Sequence, residues 1–367
     1  MLTRRELFRD TAGAMAGMLV VGGRVGEASN ASVQSSSVAG RRQVVVGGRR
    51  VKVIDMHAHC EIPGVREMIG GKTSPDSANI IGPDRLRLMD ERGFDLAVLS
   101  INPFWYEVDR DQARKLIRTQ NEGIAEICKA HPDRFVGLAT IALQHPDLAA
   151  EQLEEGVTKL GLRGGSIGSS VGSEELSSAR FDPVWAKAEQ LGVPLFMHPV
   201  AVPEMAVRLQ GNGMLGNVIG NPLATTLGLS HLIFEGTLDR FPGLKLVASH
   251  GGGYLPSYAD RSDYGCGTRP EQCTKTIAKR PTEYLKQLYV DSIVFTSEAL
   301  RHLVAVCGAS QVVLGTDNPF PWTAPPPDAR LPRFDAVDHV LSTPELSDAD
   351  RIAILGRNAA RLLNISL

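Results

Sequence analysis

Val53-Ile54-Asp55-Met56-His57-Ala58-His59 places two histidines one residue apart at the end of an apolar run. On a strand, residues i and i+2 share a face, so the two imidazoles point the same way and can grip one metal ion. A His-x-His pair standing alone is more often accidental than metallic. The remainder of the chain decides its meaning.

From Val51 onward, short apolar and β-branched runs alternate with longer amphipathic stretches. The expected strands are Val51–His57, Asp95–Ser100, Arg134–Thr140, Leu162–Ile167, Val193–His198, Leu244–His250, Leu288–Phe295 and Val312–Thr316. Between them, helical spacing marks Asp111–Lys129, Leu148–Leu160, Pro183–Leu191, Leu223–Leu238, Ser297–Val306 and Asp348–Leu363, and Pro83-Asp84 opens a further helix. Nearly continuous apolar strands alternating with helices argue for buried parallel strands. Eight such units predict a closed (β/α)8 TIM barrel of α/β class. The competing architecture is an open doubly wound sheet. No Gly-x-Gly-x-x-Gly follows the first strand to support it.

Active sites of such barrels lie at the C-terminal ends of the strands. Of nine histidines, His131, His145, His231, His302 and His339 fall in helices or on the opposite side. The other four, His57, His59, His198 and His250, stand at or just past the C-terminal ends of strands one, five and six. Gly315-Thr316-Asp317 brings a carboxylate to the same rim from strand eight. Imidazoles and a carboxylate converging on one point suit zinc, with manganese or iron as rarer occupants. Leaving one position for water is the catalytic pattern, and metal brings the pKa of such a water to about 7. A further group must then take and return a proton. His250 is the candidate; the alternative is that it is a ligand in a two-metal site. Gly251-Gly252-Gly253 clears side chains from beside it, or simply makes a tight turn. Strand four ends Gly165-Ser166-Ile167-Gly168, without the lysine that bridges two metals in sites of this architecture, which favours one metal.

The ends and the composition add boundaries. The 367 residues are 43% hydrophobic and 22% charged with net charge −2, so no nucleic-acid partner is implied. Arg4-Arg5, the weakly apolar run Ala12–Gly23 and Ser29-Asn30-Ala31 read as a twin-arginine-type export signal over residues 1–31. The run is too short to span a membrane. Export to the periplasm or beyond is therefore expected, with a disordered cytoplasmic tail as the alternative. Residues 32–50 read as linker plus a lead-in strand at Gln43–Val46, and 51–367 as one barrel domain. Five cysteines show no zinc-like spacing. Cys266 and Cys273 could pair in an oxidising compartment, and Cys60 lies beside the histidine pair without being needed as a nucleophile.

The segments Ile54–His59, Met197-His198-Pro199, Ser249–Gly253 and Gly315-Thr316-Asp317-Asn318-Pro319-Phe320-Pro321 resemble the amidohydrolase superfamily, within it the aminocarboxymuconate-semialdehyde decarboxylase branch. The stretch from His231 through Asp239-Arg240-Phe241-Pro242 to Gly253 is similar too. The resemblance runs from about Val51 to the C-terminus. It implies one zinc-type ion held by His57, His59, His198 and Asp317, with His250 as acid/base. It also implies that Arg261, eleven residues after His250, enters the neighbouring subunit's site in a homodimer and holds a substrate carboxylate, for which a guanidinium is suited. The family's second substrate arginine has no counterpart near Lys72-Thr73, and Val200 and Asn318 replace its Trp and Tyr. A substrate other than the muconate semialdehyde is expected. Phe320, Trp105 and Tyr254 are candidate pocket walls.

Three readings follow. The first is a metal-dependent, non-oxidative decarboxylase of a small aromatic or unsaturated carboxylic acid, with His250 and Asp317 managing protonation. The second is a hydrolase of a lactone, ester, amide or carbon–carbon bond using the same activated water. The third is a non-catalytic exported metal-binding protein.

Overall fold

All eight expected strands form. They are β1 (Ile54–His59), β2 (Leu96–Ser100), β3 (Phe135–Gly137, resuming at Ala139–Thr140), β4 (Gly165–Gly168), β5 (Pro194–His198), β6 (Lys245–Ala248), β7 (Tyr289–Asp291) and β8 (Val312–Val313). The computed structural model describes residues 40–74, 77–273, 276–320, 330–331 and 333–367. The twin-arginine pair, the expected cleavage site and Pro321 lie outside the described residues. Each strand pairs in parallel with its successor, from β1 through to β8. The ring then closes through the chain just past β8: Met56 N–H donates to Leu314 C=O, Asp317 N–H to His57 C=O and His59 N–H to Asn318 C=O, each at 2.8 Å. An open doubly wound sheet would leave two edges instead.

Strand alternation explains how the barrel divides into floor and rim. Ile54, Met56, Leu96, Val98, Leu138, Phe196, Val247 and Val313 form one buried apolar cluster, joined by Ala359, Ala360, Leu362 and Leu363 of the last helix. Two residues further along the same strand faces stand Ser100 after Val98 and His198 after Phe196, all buried. On β1 the pairing with β2 shifts register between Asp55 and Ala58. That irregularity lets His57 and His59 take over the inward face from Ile54 and Met56. The larger cluster, with Ala97, Leu99, Leu195, Met197, Leu246 and Ala248, packs the outward strand faces against the helices.

The helices start where capping chemistry places them. Asp109 accepts from Gln112 N–H at 2.9 Å to begin Arg110–Ala130, and Pro83 opens Pro83–Arg92, which stops at Gly93 in the left-handed conformation. The expected Leu223–Leu238 helix is broken at Gly236, giving Asn221–Phe234 and Thr237–Arg240. Within the expected Asp348–Leu363 helix, Ala353–Arg357 is a widened π turn, and Ile354 C=O there accepts from Leu314 N–H at 2.9 Å. The lead-in expected at Gln43–Val46 is the small antiparallel pair Val45–Val46 and Arg49–Arg50.

Between β6 and β7, where sequence periodicity marks no helix, the chain forms one, Leu255–Thr268. Its two glycines and exposed tyrosines dilute the apolar period that would announce it. Cys266 on this helix is disulfide-bonded to Cys273. Among the described residues, no helix is long and apolar enough to cross a membrane.

Candidate metal centre

All five rim residues expected from sequence meet at the C-terminal mouth of the barrel. His57 and His59 come from β1, and their Nε2 atoms are 3.0 Å apart. Asp317, just past β8, puts Oδ1 3.1 Å from His57 Nε2 and 3.0 Å from His59 Nε2. Its other oxygen, Oδ2, is 3.5 Å from His250 Nε2. The His198 ring, at the end of β5, has its centroid 4.9 Å from that of His59 and 5.6 Å from that of His250. One ligand atom from each of His57, His198, His250 and Asp317 lies within 4.8 Å of the others, and His59 adjoins the group through its contacts to His57 and Asp317.

The backbone is bent to achieve this. His250 (φ 54°) and Asp317 (φ 60°) both sit in the left-handed region, a conformation that costs a non-glycine residue about 1–3 kcal/mol and that clusters at active sites. The glycines after His250 are required by space as well as by φ. A Cβ on Gly253 would lie 2.3 Å from Pro222 C=O, and one on Gly251 would lie 2.8 Å from a Val294 methyl.

A carboxylate that sequence reasoning missed supports the group from below. Asp291, fully buried at the end of β7, lies 2.6 Å from His57 Nδ1 and accepts from the backbone N–H groups of His250, Gly251 and Ile293. Its one signal in the sequence is a charged residue inside the apolar run Leu288–Val294. Asp55, also buried, accepts from Thr316 N–H at 3.1 Å and from its hydroxyl at 2.6 Å, tying β1 to the Asp317 turn. Arg85, buried on the helix Pro83–Arg92, donates to His59 C=O at 3.0 Å.

Burial opposes charge on His57, but Asp317 and Asp291 outweigh it and lift its pKa to about 10. Burial dominates at His59, which falls to about 4, and at His198, which is held well below the ordinary histidine value by burial and by His59 and His57. Asp317 is buried, yet His57, His250 and His59 hold its carboxyl well below the usual range. Two neutral imidazoles, the charged His57 and the ionised Asp317 thus meet at one point, with Asp291 behind His57. Such a donor set fits a divalent cation. Burial pushes the Cys60 thiol up to about 12, away from the nucleophilic thiolate.

The remaining expected residues divide. Phe320 packs 5.3 Å from the His59 ring and does form a wall. Trp105 is fully buried with its indole N–H on Ile141 C=O, so its role is packing. The Tyr254 hydroxyl is 3.4 Å from Val218 C=O. Lys72 is exposed. Arg261 is exposed on the helix Leu255–Thr268, between Tyr258 and Tyr264, which are 66% and 78% exposed.

The sequence model of a family described as amidohydrolase matches residues 54–365. The chain is 31% identical over 316 residues to the 2-amino-3-carboxymuconate-6-semialdehyde decarboxylase of Dictyostelium discoideum, covering 85% of this chain and 84% of the relative. It is 29% identical over 296 residues to a gamma-resorcylate decarboxylase of Rhodococcus jostii, covering 77% and 87%. Among solved structures, it is similar to a dihydroxybenzoic acid decarboxylase from a Polaromonas species with bound manganese and the inhibitor 2-nitroresorcinol. That match has a TM-score of 0.72 and 26% identity, over 86% of this chain and 97% of that one.

Proposed function

The chain belongs to the amidohydrolase family, and from that premise we propose that it is a metal-dependent, non-oxidative decarboxylase of a small aromatic carboxylic acid. The three relatives described above are all decarboxylases, and the hydrolase alternative finds no support among them.

One observation carries the division of labour at the centre. A metal-bound imidazole has its other ring nitrogen held by a second partner. That holds for His57 (Asp291, 2.6 Å), His59 (Ser100 hydroxyl, 3.3 Å) and His198 (Pro199 C=O, 3.2 Å). It fails for His250, whose buried Nδ1 has no hydrogen-bond partner among the described residues, and whose side chain keeps 16% exposure. His57, His59, His198 and Asp317 are therefore the ligand set, and His250 is the proton carrier. Three imidazoles and a carboxylate favour zinc as the single ion, with manganese as its competitor.

When bound, the cation supplies positive charge to hold substrate oxygens and to stabilise the electrons left as the carboxylate departs. His250 delivers a proton to the ring carbon that bears the carboxylate. The bond between that carbon and the carboxylate carbon then breaks, its electron pair restores the aromatic system, and CO2 leaves. Asp317 Oδ2 faces His250 Nε2 and stabilises the imidazolium before transfer.

We further propose a homodimer in which Arg261 reaches the partner's substrate carboxylate, supported by the exposed Tyr258 and Tyr264 on either side of it. Export by the twin-arginine route is supported by the Cys266–Cys273 disulfide, a bond that persists in oxidising compartments.

The test is direct. Metal-loaded protein is incubated with hydroxylated benzoic acids, methoxylated hydroxybenzoic diacids and muconate-like acids, and CO2 is measured. Release from at least one acid is expected; none from any of them overturns the proposal.

A further inference from the structure

Asp291 stands between the two halves of the site. Its Oδ2 atom is shared: the His57 ring nitrogen Nδ1 lies 2.6 Å away and the His250 backbone N–H 2.9 Å away. Its Oδ1 takes the N–H groups of Gly251 and Ile293 at 2.9 and 3.0 Å. The side chain is wholly buried, and its fourth neighbour is an imidazole nitrogen that can donate or accept. The other three are backbone amides, which can only donate.

We infer that Asp291 is a positioning residue that sets the His57 tautomer and the His250 turn with one carboxylate, so that metal affinity and the placing of the proton carrier depend on the same side chain. This rests on the reading of His57 as a metal ligand. The argument is one of donor and acceptor counting. Only a group that is acceptor on both oxygens satisfies three amides and an imidazole N–H together. With Asp291 accepting, one His57 proton stays on Nδ1, so the proton given up on metal binding is the one on Nε2, the atom that faces His59 and Asp317. The same carboxylate pins a turn whose leading residue, His250, is held at φ 54°.

The experiment uses full-length protein, zinc alone as probe, and two variants, Asp291→Asn and His57→Ala. An asparagine keeps the shape but turns a donor towards groups that are donors themselves. Zinc affinity is measured by competition with a chromophoric chelator, and the His57 tautomer is read on unmutated protein from 15N histidine NMR shifts. Expected results are a proton on His57 Nδ1 with zinc on Nε2, and a zinc affinity about 10–100-fold weaker in Asp291→Asn. Zinc binding within twofold of the unmutated protein in Asp291→Asn overturns the inference while leaving the metal reading standing, and a His57 proton on Nε2 in the zinc-loaded protein overturns both. Unmutated protein that binds zinc no better than His57→Ala overturns both. The NMR reading needs no variant, so a misfolded Asp291→Asn does not remove the test.

Discussion

Asp317 Oδ1 lies 3.0 Å from His59 Nε2, although 258 positions separate the two residues in the chain. Backbone bonds hold the contact. His57 C=O accepts from Asp317 N–H and Asn318 C=O accepts from His59 N–H, so closing the barrel also assembles the ligands. Asp317→Ala is therefore expected to abolish metal retention on gel filtration and to lower turnover by at least about 10²-fold, with the far-ultraviolet circular dichroism unchanged. Retained metal at full stoichiometry in this variant would remove Asp317 from the ligand set.

Metal binding should release a proton. His57 is protonated below about 10 in the metal-free protein, and its Nε2 must lose that proton to become a ligand. Apparent affinity should accordingly rise with pH up to about 10, by close to one log unit per pH unit. The folded pKa of His57 is raised, so its contribution to metal-free stability is full below its unfolded value near about 6.5. That contribution fades as pH climbs towards 10. Calorimetric titration with zinc in buffers of different ionisation enthalpy measures the proton count, expected near one at pH 7.

Removing the ion should also cost stability. A ligand present at about 100 times its Kd stabilises the folded state by about 2.7 kcal/mol. A chelator should lower the melting temperature by several degrees, and restoring zinc or manganese should recover it. Elemental analysis of freshly purified protein then identifies the resident ion. An unchanged melting curve after verified metal removal would argue against a preformed centre.

How much of this was legible beforehand follows from the kind of signal each residue emits. His57, His59 and His198 stand at strand ends in apolar runs, where histidine is conspicuous; period-two alternation puts His57 and His59 on one face, but it is the register shift on β1 that turns that face inward. Asp317 and His250 were found by the same rule of strand ends. Asp291 escaped because a carboxylate at the close of Tyr289-Val290-Asp291 reads equally well as the chain leaving the sheet. Arg85 escaped because its position in Arg85-Leu86-Arg87 looks like an ordinary helix surface, while its guanidinium turns inward to His59 C=O. The helix Leu255–Thr268 was hidden by Gly265 and Gly267, whose weak propensity is overridden by packing.

His250 should separate binding from chemistry. If its unpartnered Nδ1 marks the proton carrier, His250→Ala should keep one equivalent of metal and lose about 10²–10⁴ of turnover. KM should change little, because the imidazole acts on the ring carbon and not on the carboxylate. Loss of metal in this variant would move His250 into the ligand set, as its closeness to His57, His198 and Asp317 allows geometrically.

Arg261 offers the sharpest test of assembly. It is exposed, flanked by Tyr258 and Tyr264, on a helix that begins two residues after Gly253. A charge-assisted pair with a carboxylate contributes about 1.5–3 kcal/mol, so Arg261→Ala should raise KM about tenfold to a hundredfold with metal content unchanged. Action across subunits makes a second, stricter demand. Mixing Arg261→Ala with His250→Ala subunits should restore activity to about one half of normal per mixed dimer, and so to about one quarter for a statistical mixture, because one of the two sites of a mixed dimer then holds both His250 and a partner's Arg261. If the two variants stay inactive after exchange that is verified by mass spectrometry, Arg261 does not serve the neighbouring site. Lysine in place of Arg261 should recover only part of the loss, since an ammonium supplies charge without the planar fork that grips both carboxylate oxygens.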